Sequence, residues 1–277
     1  MDPTLLVEHP IFALTGAAYA ASLAMYVAAW RSTRKLVGRL GTGLLVAALS
    51  LNAAFIVASW LSADRPPFKS LFETLVFLAF CLGAVYLVME RLLGTRLFGA
   101  LAVLCSLGSL VFAVMRWDAE VVSLPPALQS AWFVPHVVVY FVGYGALGFA
   151  TVVSVVQLFR PTLTLQAGTI FTGEISLEDV VYNTIRFGFV LLTFGLLVGS
   201  VWAKGAWGDY WVWDPKENWS LVTWLVYATY LHLRHIKRWR GDKAAWLAIV
   251  GFAVVMFTYL GMSMLPTAAE SAHVYQG

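Results

Sequence analysis

The chain has 277 residues, of which 60% are hydrophobic and only 12% charged, with a mean hydropathy of +0.78. Apolar residues already make up about half of an ordinary globular chain, so this excess excludes a soluble single-core protein and must face lipid. A net charge of +3 with its basic residues scattered over loops excludes a nucleic-acid-binding surface, and two cysteines, Cys81 and Cys105, without CxxC spacing exclude a thioredoxin-type site and a zinc cluster.

Eight segments are long enough to span a bilayer, which takes about 20 apolar residues: 9–30, 40–62, 70–92, 96–115, 132–158, 182–203, 219–238 and 244–264. Each must be helical, because hydrocarbon offers no partner to a backbone N–H or C=O. The N-terminus is acidic (Asp2, Glu8) and its apolar run is long enough to span rather than to be cut as a signal peptide. The expected fold is an all-α polytopic membrane protein of about eight transmembrane helices, forming a single integral membrane domain over residues 1–277. Between the fourth and fifth spans, residues 116–131 carry Pro125-Pro126 ahead of an apolar–polar mix, which predicts a short interfacial helix. Residues 160–181 form the longest connection, and Ser176 with Asp179 three positions on predicts a capping box opening the sixth span.

Orientation follows from the loops. Arg31, Arg34, Lys35, Arg39, Arg91, Arg96, Arg160, Arg186, Arg234, Lys237, Arg238, Arg240 and Lys243 fall on one side; Arg65, Lys69, Arg116, Lys204 and Lys216 fall on the other. The basic-rich side is expected to be cytoplasmic. Both termini and the loop at about 202–219 then face outward.

That outward loop is the most unusual stretch. Six of the twelve tryptophans, Trp202, Trp207, Trp211, Trp213, Trp219 and Trp224, lie within 23 residues. An aromatic belt accounts for one or two indoles per helix end. It does not account for Gly205, Gly208 and Pro215, or for Asp209, Asp214 and Glu217 woven among the indoles. The cluster reads as a platform for a large flat aromatic ligand. For Trp219 and Trp224, at the start of the seventh helix, a belt or core role stands equally.

Five histidines are candidates for chemistry. His9 and His136 open the first and fifth spans, and His273 lies in the outward tail. Each alone could be an interfacial polar residue. Together, His136 and His273 share the outer face with the indoles, and two imidazoles beside an aromatic platform suit an iron porphyrin. Its anionic side chains would seek a cation or indole N–H groups. His232 differs: about 13 residues into its helix, at 1.5 Å each, it lies roughly 20 Å deep. An intramembrane ionisable group is a functional candidate, and a second ligand to it would come from another chain. His235, one turn on, sits among basic residues and reads as solvated. Glu73 either faces a cavity or lies near the outer interface.

WGDYWVWDPKENW resembles the WWD signature of membrane proteins that handle haem. GFVLLTFGLLVGSVWAKGAWG before it, YLHLR after it and SLFETLVFL upstream are similar to one branch, the CcsA (ResC) family of System II cytochrome c biogenesis. The resemblance covers most of the chain and is strongest from Trp132 onward. It implies that His136 and His273 ligate the iron of haem b (iron protoporphyrin IX) beside the WWD loop, with Trp202, Trp207, Trp211, Trp213, Asp214 and Glu217 around the ring. It implies that His232 is the transmembrane histidine that works with one from the partner CcsB (ResB). The activity implied is holocytochrome c synthase, or haem lyase, in the bacterial cytoplasmic membrane: haem is moved to the outer face and its vinyl groups receive the thiols of CxxCH in apocytochrome c. Asp214 and Glu217 either assist thiol deprotonation or shape the loop. The tail reads ESAHVYQG where the family often has GLHSY. Two alternatives are a CcmC-like delivery of haem to a chaperone and a b-type haem electron-transfer subunit. The latter needs paired histidines within the membrane, whereas His232 is the one deep histidine.

Overall fold

The computed structural model describes residues 10–116, 126–166, 173–236 and 239–261. The chain is an all-α polytopic membrane protein. Its helices are α1 Pro10–Arg31, α2 Lys35–Ala63, α3 Leu71–Leu93, α4 Gly99–Met115, α5 Phe133–Phe159, α6 Leu177–Trp207, α7 Pro215–His235 and α8 Asp242–Leu260. They match the eight expected spans in order. Six are long and apolar enough to cross a membrane. Of the other two, α4 is apolar but only 17 residues long, and α7 carries Lys216, Glu217, His232, Arg234 and His235.

The differences from expectation lie at the ends. Helix α6 starts before residue 182 and runs on through Trp207, so Trp202 and Trp207 are helical and the turn that follows is short. The interfacial helix expected after the prolines is a single 3-10 turn, Pro126–Gln129. The connection after α5 holds two strands, β1 Thr164–Gln166 and β2 Glu174–Ser176, paired with each other. Ser176 does cap α6, its hydroxyl accepting from the Asp179 N–H at 3.1 Å.

By packing, the chain divides into two compact units, residues 1–122 with 165–175, and 123–164 with 176–277. In the first unit, α1, α2 and α3 meet through the rings of Phe12, Phe55 and Phe72, with centroids 5.2 to 6.3 Å apart. Glu73 is part of the cap of α3. It accepts from the N–H groups of Lys69 and Ser70 at 2.8 and 3.1 Å and pairs through both oxygens with Arg65 at 2.8 and 3.1 Å. At the far end of α3, the buried Glu90 carboxylate accepts from the hydroxyls of Tyr26, Tyr86 and Thr42 at 2.6, 2.7 and 2.6 Å. Arg96 completes that cluster, 3.2 Å from Glu90.

In the second unit α5 is central. Every residue from Gly143 to Ala150 is buried, as expected of a helix that is apolar all round. Helix α6 lies antiparallel against it, and glycines set the spacing. A Cβ on Gly188 would meet Leu147 at 2.7 Å, one on Gly195 would meet Tyr140 at 2.7 Å, and one on Gly199 would meet His136 at 2.6 Å. Each pair of numbers sums to 335, so a single register runs along the seam. Lipid offers no hydrophobic drive between helices, and close van der Waals contact over small residues takes its place. At the end of the unit away from His136, Arg234 pairs with Glu178 at 2.8 Å. Glu178 accepts from the Gly241 N–H at 3.1 Å, and the Gly241 carbonyl accepts from Gln157 at 3.3 Å. This clasp joins α5, α6, α7 and the start of α8.

Candidate haem-handling site

The site forms where the seam of α5 and α6 reaches the tryptophan-rich turn. His136 is one turn into α5, and its ring lies against the bare backbone of Gly199. Its Nδ1–H donates to the Gly195 carbonyl at 3.0 Å. A carbonyl only accepts, so the proton of the neutral ring sits on Nδ1 and the lone pair on Nε2. Imidazoles that bind metals are usually oriented this way, with the other nitrogen donating to a carbonyl or carboxylate. Tyr140 packs edge-on to the ring with centroids 4.9 Å apart, and Trp202 lies 5.5 Å away on another side.

Helix α6 ends at Gly208, whose φ of +91° suits a left-handed cap that glycine adopts without strain. The turn to α7 is then built by two carboxylates. Asp214 is the N-cap, accepting from the Lys216 N–H at 2.8 Å, and Pro215 follows at the first helical position. Glu217 closes the capping box, accepting from the N–H groups of Val212 and Asp214 at 2.9 and 3.1 Å. Both carboxylates are buried. Such caps contribute about 1 kcal/mol each, and here they also dictate the course of the loop.

That course separates the indoles. Trp211 turns inward, whereas Tyr210 and Trp213 stand exposed. Trp213 has φ +59°, an uncommon conformation for a bulky side chain and one that is concentrated at functional sites. Trp207 packs on Trp202, with centroids 4.8 Å apart. Trp219 and Trp224 prove to be packing residues. Trp219 lies 4.5 Å from Phe257, and the Trp224 indole N–H donates to Thr193 at 2.9 Å.

Between these elements is a cavity of about 170 Å³, lined by His136, Tyr140, Trp202, Trp211, Lys216 and Ser220 among others. The Trp211 Nε1 is shielded from solvent and has no hydrogen-bond partner among the described residues. Desolvation lowers the affinity of the Lys216 ammonium for its proton, partly offset by the charge of Asp214. Among the described residues, no group of three or more His, Cys, Asp or Glu side chains could hold a bare metal ion. The centre is one imidazole in an aromatic slot.

Of the residues singled out from sequence, His136, Trp202, Trp211 and Glu217 meet at the cavity. Trp207 and Asp214 brace it from behind, and Trp213 stands outside it. His232 is elsewhere, 15 residues beyond Glu217 or roughly 22 Å along the helix axis, and it is exposed. His9 and His273 lie outside the described residues. Sequence reading missed Tyr140, Tyr144, Gly195 and Gly199. Their signal is a pair of helical repeats, His136–Tyr140–Tyr144 and Gly195–Gly199, each spaced by four.

Residues 68–268 match the family described as Cytochrome C assembly protein. The chain is 36% identical to a "Cytochrome c biogenesis protein CcsA" of Synechococcus elongatus over 84% of its own length and 86% of that protein. It is 32% identical to one of the same description from Gloeobacter violaceus, covering 99% and 98% of the two chains. Its fold resembles the solved structure named "Cytochrome c Heme Lyase CcmF", with a TM-score of 0.69 at 18% identity. That likeness covers 94% of this chain and spans 47% of the other, and it shows a shared fold.

Proposed function

Since this chain belongs to the cytochrome c assembly protein family, we propose that it is the CcsA-type subunit of a holocytochrome c synthase and holds haem b at the His136 cavity. The carrying observation is the His136 ring: proton fixed on Nδ1 by Gly195, lone pair on Nε2, and an aromatic slot around it. A cavity of about 170 Å³ is smaller than the roughly 300–1,000 Å³ of a pocket that engulfs a ligand. It suits one edge of a macrocycle whose remainder lies across the rim, near the exposed Trp213 and Tyr210.

In this reading haem is cargo and substrate. His136 and His273 are its two axial ligands, and the histidine of CxxCH in apocytochrome c displaces one of them. Each cysteine thiol then adds across a vinyl group. Sulfur bonds to the carbon nearer the ring and the proton goes to the terminal carbon, so no electrons enter or leave. The protein contributes mainly by positioning, which converts an encounter into a local reaction. Asp214 and Glu217 hold the loop that presents the ring.

His232 supports a partner subunit. It stands on an exposed stripe with Val222, Leu225, Thr229 and Ile236, alternately three and four residues apart, the spacing of a helix–helix seam. An ionisable side chain turned to hydrocarbon is costly. CcsB (ResB) supplies a helix over this face and the second histidine. The haem route runs from there to the His136 site, on the outer side of a bacterial cytoplasmic membrane.

The test is spectroscopic. Purified protein should carry a six-coordinate b-type haem signal. His136→Ala should lose most of it and regain part with added imidazole; an unchanged spectrum would refute ligation at 136. Co-expression with CcsB and an apocytochrome should yield covalent haem. Transfer of haem to a chaperone without thioether formation would favour CcmC-like delivery instead.

A further inference from the structure

We propose that the corner where α1 turns into α2 is a docking site for an anionic phospholipid, whose phosphate is held by Arg31, Arg34, Lys35 and Arg39 and whose hydrocarbon lies against Trp30 and Leu36. This inference concerns the first unit alone and does not depend on the haem reading above.

The depth of the corner follows from the helices. Both α1 and α2 are long and apolar enough to cross a membrane, and only residues 32–34 join them. So short a link between two spans lies where hydrocarbon meets headgroups. Arg31, Arg34, Lys35 and Arg39 stand exposed there. No Asp or Glu occurs from Pro10 to Ala63, and none of the four cations pairs with a carboxylate among the described residues. Glu90 does not offset them. Arg96 reaches it across the bare backbone of Gly38, and that guanidinium at 3.2 Å and three hydroxyls at 2.6 to 2.7 Å already engage its carboxylate. The like charges at the corner repel one another until an anion joins them. Beside them the surface turns apolar, with Trp30 and Leu36 exposed. The Trp30 ring is held by its indole N–H, which donates to the Leu97 carbonyl at 3.0 Å. An orientation signal counts only Lys and Arg and calls for neither the anchored ring nor the lack of acids. Uncompensated cations next to exposed apolar side chains match a molecule with a phosphodiester at one end and hydrocarbon at the other.

Lipids with brominated acyl chains quench a tryptophan that they touch, and the difference between wild type and Trp30→Phe reports Trp30 alone. The full chain is reconstituted in phosphatidylcholine vesicles and titrated with brominated phosphatidylglycerol or brominated phosphatidylcholine. A basic side chain beside an anionic headgroup is worth about fivefold in binding, so phosphatidylglycerol should reach Trp30 with about a hundredfold preference. Arg34→Gln with Lys35→Gln keeps two cations, and so the charge bias of this end, and should cut that preference by about twentyfold. Removing the same charge elsewhere, in Arg240→Gln with Lys243→Gln, should leave it intact. Equal quenching of the wild type by the two lipids would overturn the site. So would a preference that persists without Arg34 and Lys35, or one that falls as far when Arg240 and Lys243 are replaced. In a last arm inorganic phosphate is compared with chloride at equal ionic strength. If phosphate relieves the quenching and chloride does not, a free anion is the occupant and the lipid assignment fails; equal, small effects of the two salts are the result expected of a lipid held also by its chains.

Discussion

Glu90 in the first unit and Lys216 in the second are both charged side chains drawn into the interior of a membrane protein, and their surroundings differ. Glu90 is closed in by three hydroxyls at 2.6 to 2.7 Å and by Arg96 at 3.2 Å. Gly99 presses on the same cluster, where a Cβ would clash with Tyr26. Around Lys216 there is instead an open cavity, a buried indole donor with no partner among the described residues, and next to it a tryptophan in a left-handed conformation. Buried polar groups are ordinarily satisfied, and the exceptions call for an explanation. A polar cluster closed by its own neighbours holds helices together, whereas polar side chains beside a cavity leave that space open.

Substitutions can separate the two. The largest effect on stability should come from Glu90→Ala, which removes the acceptor of three hydroxyls. Leaving a buried donor unmet costs about 1–3 kcal/mol, so thermal unfolding in detergent should fall sharply while the haem spectrum of the surviving protein is unchanged. A loss of haem with unaltered unfolding would break the comparison. Gly199→Ala should do the reverse. Its new methyl would sit 2.6 Å from the His136 ring, so haem affinity should drop by about tenfold, the equivalent of 1.4 kcal/mol, with a smaller fall in unfolding than Glu90→Ala gives. Trp213→Gly is smaller. It should relieve about 1 kcal/mol of left-handed strain and raise stability while lowering haem occupancy. Occupancy that stays constant would remove the exposed indole from the site.

The smallest effect is a pH trend. Desolvation of Lys216 lowers its pKa from 10.5, so its charge is lost at lower pH than that of an ordinary lysine. Stability should rise as pH climbs toward the ordinary lysine range, because the unfolded chain holds this proton more tightly and rising pH removes a penalty borne only by the folded state. His136, Tyr140, Tyr144, Tyr210, Glu217 and Tyr259 line the same cavity and Asp214 acts on Lys216 through its charge, and Lys216→Gln, which removes only this group, isolates its share.

The helices could be read from the chain because lipid imposes one solution on any apolar run of sufficient length. The ends of α6 could not. Trp202 and Trp207 look like loop residues beside Gly205, yet the helix continues to Gly208, whose positive φ stops it. Strands of three residues, such as Thr164–Gln166, are too short to leave a periodic signal. The acidic residues in the tryptophan-rich stretch drew attention as groups for chemistry, and their capping pattern, Asp214 with Glu217 three positions on, was equally present in the text. His136 stood out as a histidine at a helix end. Its contact with Gly195 and Gly199 links positions about sixty residues apart, which only the helix seam reveals.

The Gly195 carbonyl has one further consequence. A carboxylate that steers an imidazole can be protonated and let go, but a main-chain oxygen within a helix has no titration of its own. Mild acid therefore leaves the steering contact to His136 in place, and the aim of Nε2 is set by the covalent backbone of α6 rather than by the acidity of the surrounding medium.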